Sequence, residues 1–314
     1  MRIVFMGTPE FAVPSLEMLV KEGYEVVAAV TQPDKPKGRG NKMCEPPVKE
    51  FAIKSGIEVL QPNKIKTEEF VDSIRALKPD LIVTAAYGKI LSQALLDVPL
   101  FGCINVHGSL LPAYRGAAPI NWAVINGEKA TGITTMFTDA GLDTGDMLLS
   151  KELAVEPDAT AGELHDKLAL LGAEVLKATL TELKKGTLER KPQDNALSSY
   201  APMMSKELGL IDWNKTSQEI HDLVRGTDPW PGAYTFLNGE RLRIWRTSMA
   251  GSRQINPDCE SGRILEINNE GLLIKCGDGC ILVREIQLDC CKRMSVECYI
   301  RGRQINVGEK LGEK

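Results

Sequence analysis

Histidine is scarce, with three among 314 residues, so any proton chemistry on imidazole has few candidates. No apolar run approaches the ~18 residues of a membrane span, which argues against a membrane protein. The chain opens Met-Arg-Ile-Val-Phe-Met-Gly, a strand and a glycine turn, without the apolar stretch of a signal peptide. A cytoplasmic location with reduced thiols is therefore expected. Paired C-x-x-C spacing is absent too. Six of the eight cysteines fall late, at 259, 276, 280, 290, 291 and 298, and their spacings suit thiols on strands better than zinc ligands. No metal site is expected. The segment Met6-Gly7-Thr8-Pro9 sits at a strand-to-helix turn but lacks the glycines of G-x-G-x-x-G, which excludes a dinucleotide fingerprint. Excess positive charge is also missing. The net charge is −4, so a nucleic-acid partner would have to be held by local basic patches.

The remaining pattern is that of an ordinary soluble α/β protein, 43% hydrophobic and 25% charged. Strand and helix signals alternate through roughly residue 189. Strands are expected at Arg2–Met6, Glu25–Thr31, Ile57–Leu60, Asp80–Ala86 and Cys103–His107. A strand pair, Ile133–Asp139 and Met147–Val155, should follow. Helices are expected over Phe11–Val20, from Pro47, over Thr67–Leu77 with Thr67 as N-cap, over Ile120–Ile125 and over Ala161–Lys185. Residues 34–49 read as one long basic loop, of a length that is usually functional or disordered. The polar, proline-bearing stretch 190–206 reads as a linker. Beyond it, in 207–314, short alternating strands surround the hairpin signal Asn238-Gly239 and suggest a small OB-like β-barrel. The expected architecture is thus a Rossmann-like, mostly parallel sheet over 1–189, a linker over 190–206, and a barrel domain over 207–314.

The densest chemistry lies in Asn105-Val106-His107-Gly108-Ser109-Leu110-Leu111-Pro112-Ala113-Tyr114-Arg115-Gly116. Strand alternation puts Asn105 and His107 on one face, at the strand end where open α/β sheets place their sites. An amide can donate to a developing oxyanion, and an imidazole can move a proton near neutral pH. Asp143, bracketed by Gly141 and Gly145, is a candidate third member that could orient His107. Read from the residues alone, the Asn-x-His pair could equally be structural.

This run, with the turn Asp139-Ala140-Gly141-Leu142-Asp143, resembles the signature of the folate-dependent formyltransferases. Other segments resemble the tRNA-directed branch of that family: Met6–Ala12, Thr31–Gly40 and Asp228-Pro229-Trp230-Pro231-Gly232-Ala233. The resemblance covers essentially the whole chain. It implies 10-formyltetrahydrofolate as donor and the α-amine of initiator methionyl-tRNA as acceptor, with Asn105, His107 and Asp143 catalytic. Folate is then expected against Tyr87, Gly88, Ile90, Leu91, Ser109, Leu110, Leu111, Pro112 and Asp139. Arg39, with Lys37 and Lys42 on the basic loop, is expected at the tRNA acceptor end, the role that resemblance gives to Arg39. Residues 206–314 balance 16 Lys+Arg against 16 Asp+Glu, so tRNA binding there depends on placement. Arg241 and Arg243 share a strand face and are the barrel candidates. A monomer is expected. Two alternatives stay open, a formyltransferase acting on a nucleotide-sugar amine and a folate- or tRNA-binding module without catalysis.

Overall fold

In a computed structural model, which describes residues 1–37, 42–251 and 259–312, the chain divides into two units. The first takes residues 1–119, 130–154 and 165–202, and the second takes 120–129, 155–164 and 203–314.

The first unit contains β1 (Arg2–Gly7), β2 (Glu25–Val30), β3 (Lys35–Lys37), β4 (Lys42–Cys44), β5 (Val59–Leu60), β6 (Leu81–Ala85), β7 (Cys103–His107), β8 (Arg115–Gly116), β9 (Ala130–Phe137), β10 (Met147–Ala154) and β11 (Tyr200–Ala201). Seven of them form one sheet in the order β10-β9-β7-β6-β1-β2-β5. The five strands from β7 to β5 are parallel, and β9 and β10 add an antiparallel edge. Parallel strands are covered on both faces, which explains why β6 reads Leu-Ile-Val-Thr-Ala and is buried throughout. Val4, Met6, Val30, Ile82 and Cys103 share a core with Phe70, Val71 and Ile74 of α3 (Glu68–Ala76) and Leu95 and Leu96 of α4 (Gln93–Leu96). Thr67 caps α3, accepting from the Phe70 amide at 3.4 Å as expected. Helices α1 (Val13–Lys21), α2 (Pro47–Lys54) and the long α6 (Ala161–Lys185) complete the alternation. Gly172 lets α6 approach β7 closely: a Cβ there would lie 3.0 Å from Cγ1 of Val106. No helix among the described residues is long and apolar enough to cross a membrane.

Two expectations change in this unit. The stretch 34–49 is not one irregular loop. β3 and β4 pair antiparallel, and α2 begins at Pro47, where a fixed φ and a missing N–H suit a helix start. Residues 190–206, read as a linker, are tied into the first unit up to Ala201. β11 pairs with β8, and Lys191 bridges Met147. Polar composition alone hides these bonds, because most of them go to backbone groups.

The second unit carries α5 (Pro119–Ile125, from Ile120 onward), α7 (Ser217–Thr227), β12 (Ala233–Leu237), β13 (Glu240–Met249), β14 (Ile264–Asn268), β15 (Gly271–Lys275), β16 (Cys280–Leu288), β17 (Met294–Ser295) and α8 (Val296–Ile300). Its sheet is antiparallel in the order β12-β13-β16-β15-β14, with β17 on β16. The turn between β12 and β13 has φ of +51° at Asn238 and +79° at Gly239, the double positive φ that favours Asn-Gly in tight hairpins. Leu242, Ile244, Ile274, Ile281, Val283 and Ile286 fill the interior together with Trp213, whose Nε1 donates to Oγ1 of Thr235 at 3.0 Å. The outer strands are joined by residues 308–312. Ile264 and Glu309 are bonded on one side, and the Gly312 amide donates to the Phe236 carbonyl at 2.9 Å on the other. The two free edges are thereby covered, as a barrel requires.

Candidate active site

The site lies at the C-terminal ends of the parallel strands, in the first unit. β7 delivers Asn105 and His107 on one face, and Thr84 of β6 stands opposite Asn105 in the ladder. The Thr84 hydroxyl donates to Oδ1 of Asn105 at 2.8 Å. That engages the carboxamide oxygen, while Nδ2, with its two N–H donors, makes no hydrogen bond among the described residues.

His107 is buried and fixed at one edge. Its Nε2 lies 2.9 Å from the carbonyl oxygen of Tyr114. A carbonyl only accepts, so Nε2 carries the proton and Nδ1 is the basic edge of the neutral ring. Nδ1 faces Oδ2 of Asp143 at 3.7 Å. That carboxylate oxygen accepts from the Gly116 amide at 2.9 Å. Asp143 holds a left-handed backbone, φ +52°, and Tyr114 another, φ +60°. Gly116 has φ +120°, and a Cβ there would lie 2.6 Å from the Ala201 carbonyl oxygen, so glycine is required where the loop grips the carboxylate.

The remaining expected positions are arranged around this centre in different ways. Ser109 is fully buried; its Oγ donates to the Ala113 carbonyl at 2.7 Å, and its own carbonyl accepts from Thr134 at 2.8 Å. Leu111 donates its amide to Oγ1 of Thr134 at 3.1 Å and precedes a cis Pro112; Leu110 is half-buried. These bonds fix the backbone of 109–112. Tyr87 and Leu91 point into the core shared with α3 and α4, while Ile90 is exposed. Gly88 has φ +78°, and the Tyr87 carbonyl accepts from Nε2 of Gln32 at 3.1 Å. The buried Tyr87 hydroxyl has no hydrogen-bond partner among the described residues, and burial pushes its pKa up to about 12. Asp139 closes its own turn by accepting from the Gly141 amide at 3.0 Å and from Oγ1 of Thr144 at 2.8 Å.

Arg39 lies outside the described residues. Lys37 and Lys42 lie on β3 and β4. On the barrel, Arg241 and Arg243 flank the buried Leu242 on the other face of β13. Arg241 pairs with Asp289 at 3.1 Å, whereas Arg243 has no ion pair among the described residues.

Four contributors escaped the sequence reading: Thr84, the Tyr114 carbonyl, the Gly116 amide, and Gln193, whose Nε2 donates to the Asp143 and Gly145 carbonyls. Only Thr84 left a signal, as the one hydroxyl in the apolar run Leu81–Ala85. The others act through backbone or from a stretch with no periodicity.

The Rossmann-like sheet thus presents an amide, an imidazole and a carboxylate near its strand ends, groups whose chemistry suits acyl transfer. Residues 1–180 match the formyl transferase family model, and 203–304 match that of the formyl transferase C-terminal domain. The chain belongs to the formyl transferase family. It is 66% identical over 313 residues, the full length of both chains, to a methionyl-tRNA formyltransferase of Ruminiclostridium cellulolyticum. To one from Acetivibrio thermocellus it is 61% identical, again over the full length of both. Among solved structures, the fold is similar to an N-formyltransferase from Helicobacter canadensis in complex with folinic acid and dTDP-3-aminofucose. That match has TM-score 0.65 and 20% identity, covering 90% of this chain and 98% of the other. A sugar 3N-formyl transferase matches with TM-score 0.67 and 20% identity, covering 92% and 98%.

Proposed function

We propose that this chain transfers the formyl group of 10-formyltetrahydrofolate to the α-amine of methionine on initiator methionyl-tRNA. The observation that carries the reading is the full-length similarity to relatives of that name, in a chain that sets His107 against Asp143 on the strand that also holds Asn105. In the reaction the amine attacks the formyl carbon and the carbonyl oxygen gains negative charge. Asn105 Nδ2 donates to that oxyanion. His107, through Nδ1, takes the proton that the attacking amine must lose and supports its return to the departing folate nitrogen. Asp143, facing Nδ1, stabilises the ring while it is charged. The C–N bond to folate breaks as the new amide is completed.

The folate fits against backbone rather than side chains at Tyr87-Gly88 and at Ser109, Leu110, Leu111 and Pro112, with Ile90, Leu91 and Asp139 at its margins. Acceptor recognition is assigned to Lys37, Arg39 and Lys42 and to Arg241 and Arg243. Residues 1–189 serve catalysis together with the stretch to Ala201 that is bonded onto them, and 207–314 bind tRNA. The reading needs one copy of the chain and a cytoplasmic location.

The test offers formyl-folate with initiator methionyl-tRNA, elongator methionyl-tRNA and a UDP-amino sugar as parallel acceptors. The expected result is fast transfer to the initiator alone. Equal rates on both tRNAs would remove the initiator specificity, and equal transfer to the sugar would overturn the assignment.

A further inference from the structure

We infer that Gln193 is a positioning residue for the Asp143 turn, and that Arg115 sets its orientation. The inference rests on the reading above, in which Asp143 works with His107. Nε2 of Gln193 donates to the carbonyl oxygens of Asp143 and Gly145, each at 2.8 Å. Oε1 accepts from Nε and Nη2 of Arg115, at 3.0 and 2.8 Å. A carboxamide has two N–H donors and one oxygen with two lone pairs, so all four positions are used. Both partners are single-purpose. A guanidinium only donates and a carbonyl only accepts. Turning the amide over would set N–H against N–H on one side and oxygen against oxygen on the other. Arg115 therefore locks the orientation in which Nε2 meets the turn. Arg115 is itself steadied by Oδ1 of Asn195, 2.9 Å from Nη2.

The turn needs such a hold. Asp143 keeps a left-handed backbone, a conformation that L residues visit at a cost. Its neighbours Gly141 and Thr144 are bonded to Asp139 instead. Two adjacent residues of β8 grip the turn from one side. Gly116 holds the carboxylate directly, and Arg115 holds the backbone through Gln193. Without Gln193 the two carbonyls lose their shared donor, and the carboxylate is left on the Gly116 amide alone. A shift of about 1 Å in a reacting geometry is worth up to ~100-fold in rate. The amide supplies no proton and touches no reacting atom, so its effect passes through Asp143.

The test uses the full chain with Gln193→Met, which keeps side-chain length without donors, Gln193→Glu, which keeps the acceptor for Arg115 alone, Asp143→Asn, and the Gln193→Met/Asp143→Asn double variant. Both Gln193 variants are expected to lower kcat roughly 10- to 100-fold, with KM for either substrate within about threefold. In the Asp143→Asn background Gln193→Met should cost no more than about twofold, because the residue it positions is already disabled. Independently of turnover, the His107 ring resonances of Gln193→Met, assigned with His107→Ala, should move toward those of Asp143→Asn. Full kcat in both Gln193 variants, multiplicative losses in the double variant, or unmoved His107 resonances would overturn the inference. An inactive wild type would instead count against the proposed function, and the resonances would still decide the role of Gln193.

Discussion

The carboxylate of Asp143 stands 3.7 Å from Nδ1 of His107, on the ring edge opposite the bond to the Tyr114 carbonyl. The two edges of the imidazole are thus unequal, one tied to a backbone carbonyl and one facing a carboxylate. Asp143→Asn keeps the shape of the turn but removes the charge that faces a protonated ring. His107→Ala removes the proton carrier itself. Each is expected to lower kcat by about 10²–10⁴, the usual worth of positioned acid–base catalysis, with near-native circular dichroism and melting. Near-full formylation by either variant would take that residue out of the chemistry.

Asn105 depends on Thr84 in the same way that Asp143 depends on Gly116. Thr84 lies buried in β6, and its hydroxyl holds the Asn105 carboxamide by its oxygen. Thr84→Val leaves β6 in place but frees the amide to rotate. One neutral hydrogen bond is worth about 1 kcal/mol net, so kcat should fall roughly five- to tenfold while KM for the folate donor stays within twofold. An unchanged kcat would mean that Asn105 is oriented by packing alone.

What the sequence discloses and what it conceals divide along physical lines. Continuous apolar strands such as Leu81–Ala85 announce themselves because parallel sheets bury both faces. The pairing of Asn105 with His107 follows from strand alternation. Asn238-Gly239 fixes its hairpin because both positions need positive φ. Asp143 is different, since nothing local to 139–146 says which strand end the turn folds against. Gln193 is harder still. Its four bonds join two distant loops, and a Gln in a polar stretch looks the same whether solvated or saturated. The closure of the barrel by residues 308–312 is invisible for a similar reason, since it runs through backbone groups.

The acceptor-binding assignment turns on charge rather than geometry, and salt dependence tests it. Arg39→Ala should raise KM for initiator tRNA and leave KM for folate unchanged. A side chain that contacts one phosphate contributes about one unit to the slope of log affinity against log salt. The variant's slope should therefore be shallower by about 1. An unaltered slope and KM would remove Arg39 from the interface. The same measurement on Arg243→Ala would test the barrel face, where that guanidinium lacks an ion pair among the described residues.

Stability of the second unit should carry an acid-sensitive contribution from the start of α7. Oε2 of Glu219 accepts from the Thr216 amide at 2.9 Å and from its hydroxyl at 2.8 Å, while Thr216 Oγ1 accepts from the Glu219 amide. The backbone N–H of Thr216, followed by its hydroxyl, holds the carboxyl down at about 2, against an ordinary 4.5. A lowered folded-state value stabilises above the unfolded one and is lost as pH falls through the folded one. Glu219→Gln should therefore lower the urea midpoint at pH 7, and the gap to wild type should narrow between about pH 4.5 and 2. A gap independent of pH would show that the carboxylate charge contributes nothing to the cap.

The cysteines differ in environment, and alkylation should sort them. Cys103 and Cys276 are buried, and burial pushes both thiols up to about 12. At pH 8 they hold almost no thiolate, and the reagent cannot reach the sulfur. Cys290 and Cys298 are exposed. Brief iodoacetamide treatment of the native protein, read by peptide mass spectrometry, should label Cys290 and Cys298 first and leave Cys103 and Cys276 unmodified until denaturant is added. Formylation activity should survive the brief treatment, because neither exposed thiol belongs to the cluster around His107. Early labelling of Cys276 would mean that the barrel interior opens on the timescale of the reaction, which its packing among Trp213, Ile274 and Ile281 argues against.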